Sequence, residues 1–542
     1  MRLLATGLLA AISAFGVFGG AGASEPNIIG YYASWKQAQT VGVDFSKYTH
    51  INLSFGVPGQ DGSVTFDESL PLSTVVGEIQ GNGTKALVSL GGWSDSTYFT
   101  KLVSDTTPQN PLVASIVNFV DSNKLDGIDL DWEYPGREGN GCTNPDLAND
   151  TPNYLKFITN LRAAFTTKFG SGKKLITMAV RVQPFDVNGV PSTDVSAFAK
   201  SVDFINLMQY DINGAWMETT GPNAPLNFEK GKATQLSFAS AIDAWTGAGW
   251  PASQINAGLA FYGRATTASE DMTKDPDNQY QAQEKGVLPQ ADKEDATWPD
   301  PCTGKSTFSG VWQWKHLRDQ GVLTSTEKAA SPWVRTWDDT TMTPWLFNPS
   351  TKMFVSYDDP KSLTAKVDYA KSKGLAGSMV WAIYMDYNDE LLDTVKTAWG
   401  SSSSGGGGSG VYPIDPDTSS TDSQTDNQGK ADTGDNFDDT TTTQDDDTTT
   451  TTQDDDDSPT ESPTEDGDTD TESAGDGGSG GSPADAQACT DDLAYKCGSD
   501  SGTLDYFVCL YGKWIKLSCA AGTVCKQQSS SLIMCDWPAS SS

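Results

Sequence analysis

The sequence predicts an α/β protein: a (β/α)8 TIM barrel with a subdomain inserted between strands seven and eight, an acidic spacer, and a small disulfide-rich C-terminal module. Three observations predict it. Across residues 24–400, eight apolar runs ending in small or polar residues alternate with helix-patterned stretches, as a ring of βα units requires. About 115 residues separate the seventh run from the eighth, far more than one loop and helix need. Six of the 8 cysteines crowd residues 489–542, where a chain too short for a large core can be stapled.

Taken in order, Met1-Arg2, the apolar stretch Leu3 to Phe18 and the small residues Ala21-Gly22-Ala23 form a secretory signal over 1–23. The expected product is a secreted, extracellular monomer. No later run reaches the roughly 20 apolar residues of a membrane helix, so no membrane partner is expected. The strand candidates are Ile28 to Tyr32, His50 to Phe55, Ala86 to Leu90, Gly127 to Trp132, Leu175 to Val180, Phe204 to Tyr210, Ile255 to Phe261 and Gly377 to Ile383. Helical patterns between them include Leu112 to Asn123, Tyr154 to Phe169 and Ser362 to Lys373, the last stopping at Gly374 as helix ends favour. The insertion, about 265–355, carries Trp298, Trp312, Trp314, Trp333, Trp337 and Trp345. Two or three of these are expected on a ligand surface and the rest in a core.

Residues 401–488 are Gly/Ser, then Asp/Thr, then Gly/Ser again, with almost nothing apolar to bury, and are expected to remain a disordered linker. Of the net charge of −35, most arises there: residues 411–488 hold 23 Asp or Glu against Lys430 alone. Such a chain is not expected to bind nucleic acid. The Gly477 to Gly481 run matches Gly-x-Ser-x-Gly but lies inside the spacer rather than after a strand, and is a chance match. Two histidines, His50 and His316, leave almost no material for a Ser-His-Asp site or a His-rich metal centre. No metal and no cofactor is expected. Cys489, Cys497, Cys509, Cys519, Cys525 and Cys535 lack the Cys-x-x-Cys of a zinc site and are read as disulfides. Whether Cys142 pairs with Cys302 is open at this stage.

The chemistry concentrates in Leu125-Asp126-Gly127-Ile128-Asp129-Leu130-Asp131-Trp132-Glu133-Tyr134-Pro135. On a strand, Asp129, Asp131 and Glu133 share one face and Ile128, Leu130 and Trp132 the other. Carboxylates placed so close raise one another's pKa, and burial raises them further, which suits a group holding a proton near neutral pH. A calcium loop starting at Asp129 would need Gly and Glu where Tyr134 and Asn140 stand. A solvated acidic strand would not interleave Ile, Leu and Trp. Acid catalysis is the remaining reading.

The run from Asp126 to Glu133 resembles the Asp-x-x-Asp-x-Asp-x-Glu signature of glycoside hydrolase family 18 chitinases. Gly30-Tyr31-Tyr32 resembles that family's first strand, Ser89-Leu90-Gly91-Gly92-Trp93 its third, and Met208-Gln209-Tyr210-Asp211 its sixth. Phe261-Tyr262-Gly263-Arg264 resembles the end of its seventh and Met379-Val380-Trp381 its eighth, with Tyr357-Asp358-Asp359 before the last helix. The resemblance implies a retaining, substrate-assisted hydrolysis of β-1,4-N-acetylglucosamine linkages in chitin, an exception to the two-carboxylate scheme. Glu133 would be the general acid, Asp131 would orient the acetamido group, Asp129 would be its proton-sharing neighbour, and Tyr210 would hydrogen-bond the acetamido oxygen. Asp211, Trp381, Met208, Trp93, Ser89 and Tyr32 would line or support the substrate site, Trp93 being equally open to a packing role. The last fifty residues resemble a fungal chitin-binding module of family 19, with Tyr511, Trp514 and Trp537 as candidate sugar platforms. The implied partners are chitin and chitin oligosaccharides. Two other functions fit the same fold: an endo-β-N-acetylglucosaminidase on N-glycans, and a chitin-binding lectin without hydrolysis, which such relatives reach by lacking the acid.

Overall fold

The structure, a computed structural model, describes residues 25–300 and 302–400, together with five short strands between 495 and 536. The signal over 1–23, the linker 401–488, Tyr511, Trp537 and the side chain of Trp514 lie outside the described residues. Eight parallel strands form the barrel: β1 (Asn27–Ala33), β2 (His50–Pro58), β3 (Lys85–Gly91), β4 (Gly127–Asp131), β5 (Leu175–Val180), β6 (Phe204–Leu207), β7 (Ile255–Ala260) and β8 (Gly377–Trp381). Each pairs with its sequence neighbour, and β1 pairs with both β2 and β8, so the sheet closes and has no edge.

The outer helices start where the sequence supplies caps. Asn110 accepts from the backbone N–H groups of Leu112 and Val113, and Pro111 takes the first turn of Pro111–Ser122, where no N–H is needed. That helix buries Leu112, Val113, Ile116 and Val120 on one stripe, each contributing roughly 1.5–3 kcal/mol. Asp359 and Ser362 form a capping box at the head of Pro360–Ser372, and Gly374 follows with φ +74°.

Several strands end earlier than their apolar runs. β6 stops at Leu207, not Tyr210, and β4 at Asp131, which leaves Glu133 just above the ladder. The side chains stay buried after the backbone leaves the sheet because other bonds hold them. Gln209, fully buried, donates to the carbonyl of Phe238 (2.7 Å) and accepts from the N–H of Gly258 (3.0 Å).

Between β7 and β8 the insertion folds as a five-stranded antiparallel sheet of Tyr262–Thr267, Val311–Gln313, Val334–Asp338, Thr343–Asn348 and Met353–Ser356. It begins at Tyr262, so Tyr262 to Arg264 belong to this sheet rather than to the end of the seventh barrel strand. Ala268, Met272, Trp345, Phe347 and Phe354 make its own small core. The C-terminal strands form two further antiparallel sheets, Tyr495–Cys497 with Asp505–Leu510 and Lys513–Ser518, and Val524–Ser529 with Leu532–Asp536. By compactness the chain divides into Met1–Pro413 and Ile414–Ser542.

Candidate active site

β4 sets the floor of the site. Its ladder places Asp129 level with Ser89 of β3 and Thr177 of β5, so the three side chains share the barrel's inner face. Asp129 is fully buried. Its Oδ2 accepts from the Tyr31 hydroxyl (2.7 Å) and the Ser89 hydroxyl (2.8 Å), and its Oδ1 from Thr177 Oγ1 and Asn206 Nδ2 (3.4 Å). Burial raises its pKa while these four donors pull it back down.

Asp131 lies above it, 3 % exposed, with Oδ1 buried and unpartnered. Burial, then the charges of Glu133 and Asp129, push its pKa well up.

Glu133, 8 % exposed, follows the end of β4. Burial pushes its carboxyl up to about 7; a hydrogen bond from Tyr134 opposes this and the charge of Asp211 adds to it. Its backbone N–H is held by Ser96 Oγ (3.0 Å), which itself donates to the Gly92 carbonyl (2.8 Å). Gly91 has φ +108°, and a Cβ there would lie 2.3 Å from the Asp131 carbonyl oxygen, so only glycine allows the β3 loop to approach this closely. Trp132 points the other way, stacked on Phe99 at 5.3 Å and edge-on to Tyr154 at 5.0 Å.

Tyr210 presents its hydroxyl beside Met379 Sδ (3.7 Å). Burial first, then Asp131, Asp211 and Glu133, raise its pKa well above that of an ordinary phenol, so it stays a donor. Asp211 sits at φ +55° and is gripped by the inserted sheet: the Arg264 fork reaches both carboxylate oxygens at 2.7 Å, and the Tyr262 hydroxyl reaches Oδ1 at 2.7 Å. Trp381, at the end of β8, packs between Tyr31 (5.5 Å) and Phe55 (5.8 Å), with Trp35 stacked on the far side of Phe55 at 5.9 Å. Trp381, Trp35, Trp93, Trp298 and Tyr384 line a cleft of about 530 Å³, together with Asp292 and Glu294 from the insertion. Such a trough of ring faces suits the apolar faces of sugars.

Tyr32 requires correction. It is buried on the outer side of β1 against Phe45, ring centroids 6.4 Å apart, and cannot touch a substrate in the barrel. Strand alternation gives the inward position to Tyr31, which holds Asp129. Met208 is half-buried and packs against the barrel core. Tyr357-Asp358-Asp359 is structural: Asp358 accepts from Lys366 and Ser362, and Asp359 caps the following helix and pairs with Arg335. Of the six insertion tryptophans, Trp312, Trp314 and Trp345 are buried, and Trp298 lines the cleft. Sequence reasoning missed Tyr31, Thr177 and Asn206 as holders of Asp129, and Trp35 on the cleft wall.

The family model "Glycosyl hydrolases family 18" matches residues 27–386, and "Carbohydrate binding domain (family 19)" matches 469–530. A "chitinase-like effector" of Moniliophthora roreri is 36% identical over 379 residues, 68% of this chain and 91% of that protein. "Chitinase A1" of Niallia circulans is 30% identical over 400 residues, 70% of this chain and 52% of that one. Among solved structures, a chitinase from Rhizomucor miehei superposes with TM-score 0.63 at 34% identity, covering 69% of this chain and 99% of that one.

Proposed function

The chain belongs to glycosyl hydrolases family 18 and carries a family 19 carbohydrate-binding domain, and on that premise we propose that it is a secreted chitinase acting by substrate assistance. The observation that carries this reading is Glu133: a buried carboxyl just past the end of β4, raised to about 7, beside a second buried carboxyl, Asp131, whose pKa burial and the neighbouring charges push well up. A general acid works best with a pKa near the working pH.

In the proposed reaction Glu133 gives its proton to the glycosidic oxygen as the bond to C1 breaks. The acetamido oxygen of the same sugar attacks C1 and forms an oxazolinium ion. Asp131 accepts a hydrogen bond from the acetamido N–H, and Tyr210 donates to the acetamido oxygen, so the nucleophile is held in line. Glu133, now a carboxylate, takes a proton from water, which opens the ring from the original face. The product keeps the β configuration. Trp381 supports the bent sugar, and the Cys142–Cys302 disulfide agrees with an exported protein.

Chitin oligosaccharides followed by NMR test this reading: the first product should be the β anomer, and the acetamido-free glucan should be inert. An initially α product, or cellulose cleaved as fast, would refute it. A second reading, chitin binding without hydrolysis, is favoured by the "chitinase-like effector" name of one relative. Glu133 stands against it, and absence of any hydrolysis would establish it.

A further inference from the structure

Three Asn-x-Ser/Thr triplets occur in the sequence: Asn52-Leu53-Ser54, Asn82-Gly83-Thr84 and Asn149-Asp150-Thr151. Such a triplet accepts an N-linked glycan in an exported chain, provided the folded protein leaves room for it at the surface. The fold separates the three. Asn52 is 1 % exposed on β2, its amide nitrogen shut inside the protein, so a folded molecule cannot carry a sugar there. Asn149 is exposed on the mouth side, in the loop between β4 and the helix Asp150–Phe169, and its amide nitrogen donates to both carboxylate oxygens of Asp146 (3.1 and 3.0 Å).

Asn82 is exposed and ends the helix Leu72–Gly81. Its amide nitrogen donates to the Glu78 carbonyl (2.9 Å), and because an amide carries two N–H groups one remains for substitution. The surface beside it is bare: a Cβ added at Gly77, Gly81 or Gly83 would meet nothing beyond its own turn within 4 Å, so a branched sugar clears the helix. Gly83, at φ +81°, turns the chain toward β3, which starts at Lys85. The turn therefore lies at the N-terminal end of the barrel strands. The seven residues of β3 separate it from Gly91 at the mouth by roughly 20 Å. Thr84 is 3 % exposed, with its hydroxyl 2.7 Å from the Phe45 carbonyl and 2.8 Å from the Tyr48 carbonyl. The third residue of the triplet is thus out of reach once this corner has folded, and transfer of a glycan must come first.

We propose that Asn82 is an N-glycosylation site and that its glycan projects from the end of the barrel opposite the cleft. This rests on the export part of the proposed function. In the transfer, the Asn82 amide nitrogen attacks C1 of an oligosaccharide carried on a lipid diphosphate in the secretory compartment. The N–C1 bond forms, the C1–O bond breaks, the diphosphate leaves with the electron pair, and the amide proton passes to a base of the transferring enzyme. Placed there, the sugar hydrates a helix end poor in side chains and leaves the trough of Trp35, Trp93, Trp298 and Trp381 clear for a polymer.

The test uses the full-length chain secreted from a yeast culture, trimmed with endoglycosidase H, digested and weighed peptide by peptide. The peptide with Asn82 should hold one N-acetylhexosamine in more than half of the molecules and the peptide with Asn52 none. Asn82→Gln should remove the sugar from the first peptide while the protein still reaches the medium, and Thr84→Ser, which keeps the hydroxyl, should retain it. A bare Asn82 in secreted protein overturns the inference and leaves export standing; a chain kept inside the cell without sugar removes both. A glycan on Asn52 would also overturn it, since the choice rests on which acceptors the fold leaves exposed. For the placement, association of a fluorescent N-acetylglucosamine hexamer with Asn82→Gln is compared with that of the unaltered, glycosylated protein. The two rates should agree within twofold, and a larger gain in the variant would show that the sugar reaches the cleft and refute its position.

Discussion

Replacing Glu133 by Gln should cost activity and add stability, and the second effect depends on pH. The carboxyl is pushed up to about 7 from an ordinary 4.5 by burial. Between those values the folded protein holds a proton that the unfolded chain has released, so stability falls as pH rises from 4.5 to 7. Two and a half pH units at 1.36 kcal/mol each set the cost of the buried carboxylate above pH 7 at about 3 kcal/mol. Glutamine keeps the shape and has no charge to desolvate. At pH 8 the variant should therefore be more stable by up to about 3 kcal/mol, and at pH 4 by nothing comparable. Relief of Asp131, whose pKa is raised partly by the charge of Glu133, acts in the same direction. Turnover should fall by about 10² to 10⁴, the usual contribution of a positioned acid. Urea unfolding followed by tryptophan fluorescence at pH 4 and pH 8, beside hydrolysis of the N-acetylglucosamine tetramer, measures both. A variant with more than a tenth of the original turnover would show that Glu133 is not the acid. An equal stability change at the two pH values would show that charge burial is not what raises its pKa.

The unaltered protein should lose kcat/KM about tenfold per pH unit above 7, because the acid must be protonated; Asp211→Asn removes a charge that raises Glu133, so a pH profile of that variant should fall off at lower pH. Asp129→Asn turns an NH2 group toward hydroxyl and amide donors that now converge on a carboxylate, and should destabilise the barrel by about 2–6 kcal/mol as two donors lose their acceptor; a urea-measured loss below about 1 kcal/mol would contradict this. Truncation after Gly400 should leave turnover on soluble oligosaccharides unchanged and reduce it on insoluble chitin at low enzyme loading, since a tethered module raises local concentration without altering chemistry; equal adsorption of both forms to chitin particles would remove that role.

The barrel and the row of carboxyls on and just past β4 were legible because both depend on short-range period. Eight apolar runs gave eight strands, and alternation along β4 placed Asp129, Asp131 and Glu133 opposite Trp132. What escaped was set by distant partners. Arg264 grips Asp211 from 53 positions away in the chain, a contact no local pattern encodes. The six insertion tryptophans have the same chemistry, and only tertiary placement separates them: Trp345 lies in the core of the five-stranded sheet, while Trp298, on the separate ribbon with Ser306–Thr307, meets the cleft. Tyr31 and Tyr32 were separable in principle, since alternation allows just one to face inward, but two adjacent tyrosines tolerate either side. The strand ends were misjudged where apolar side chains outlast the ladder, as after Leu207.

Asp129 takes its four donors from β1, β3, β5 and β6, half the staves of the barrel. It acts as a hub on which those staves converge, while Glu133 sits above the rim and holds nothing together. Inherited change therefore meets two very different slopes within one motif. Loss of the hub damages the whole scaffold and is removed with it, whereas loss of the acid leaves a sound and even sturdier barrel with its aromatic trough intact. On the proposed function, a descendant that grips sugar without cutting it lies one substitution away, and the fold offers no resistance to that step.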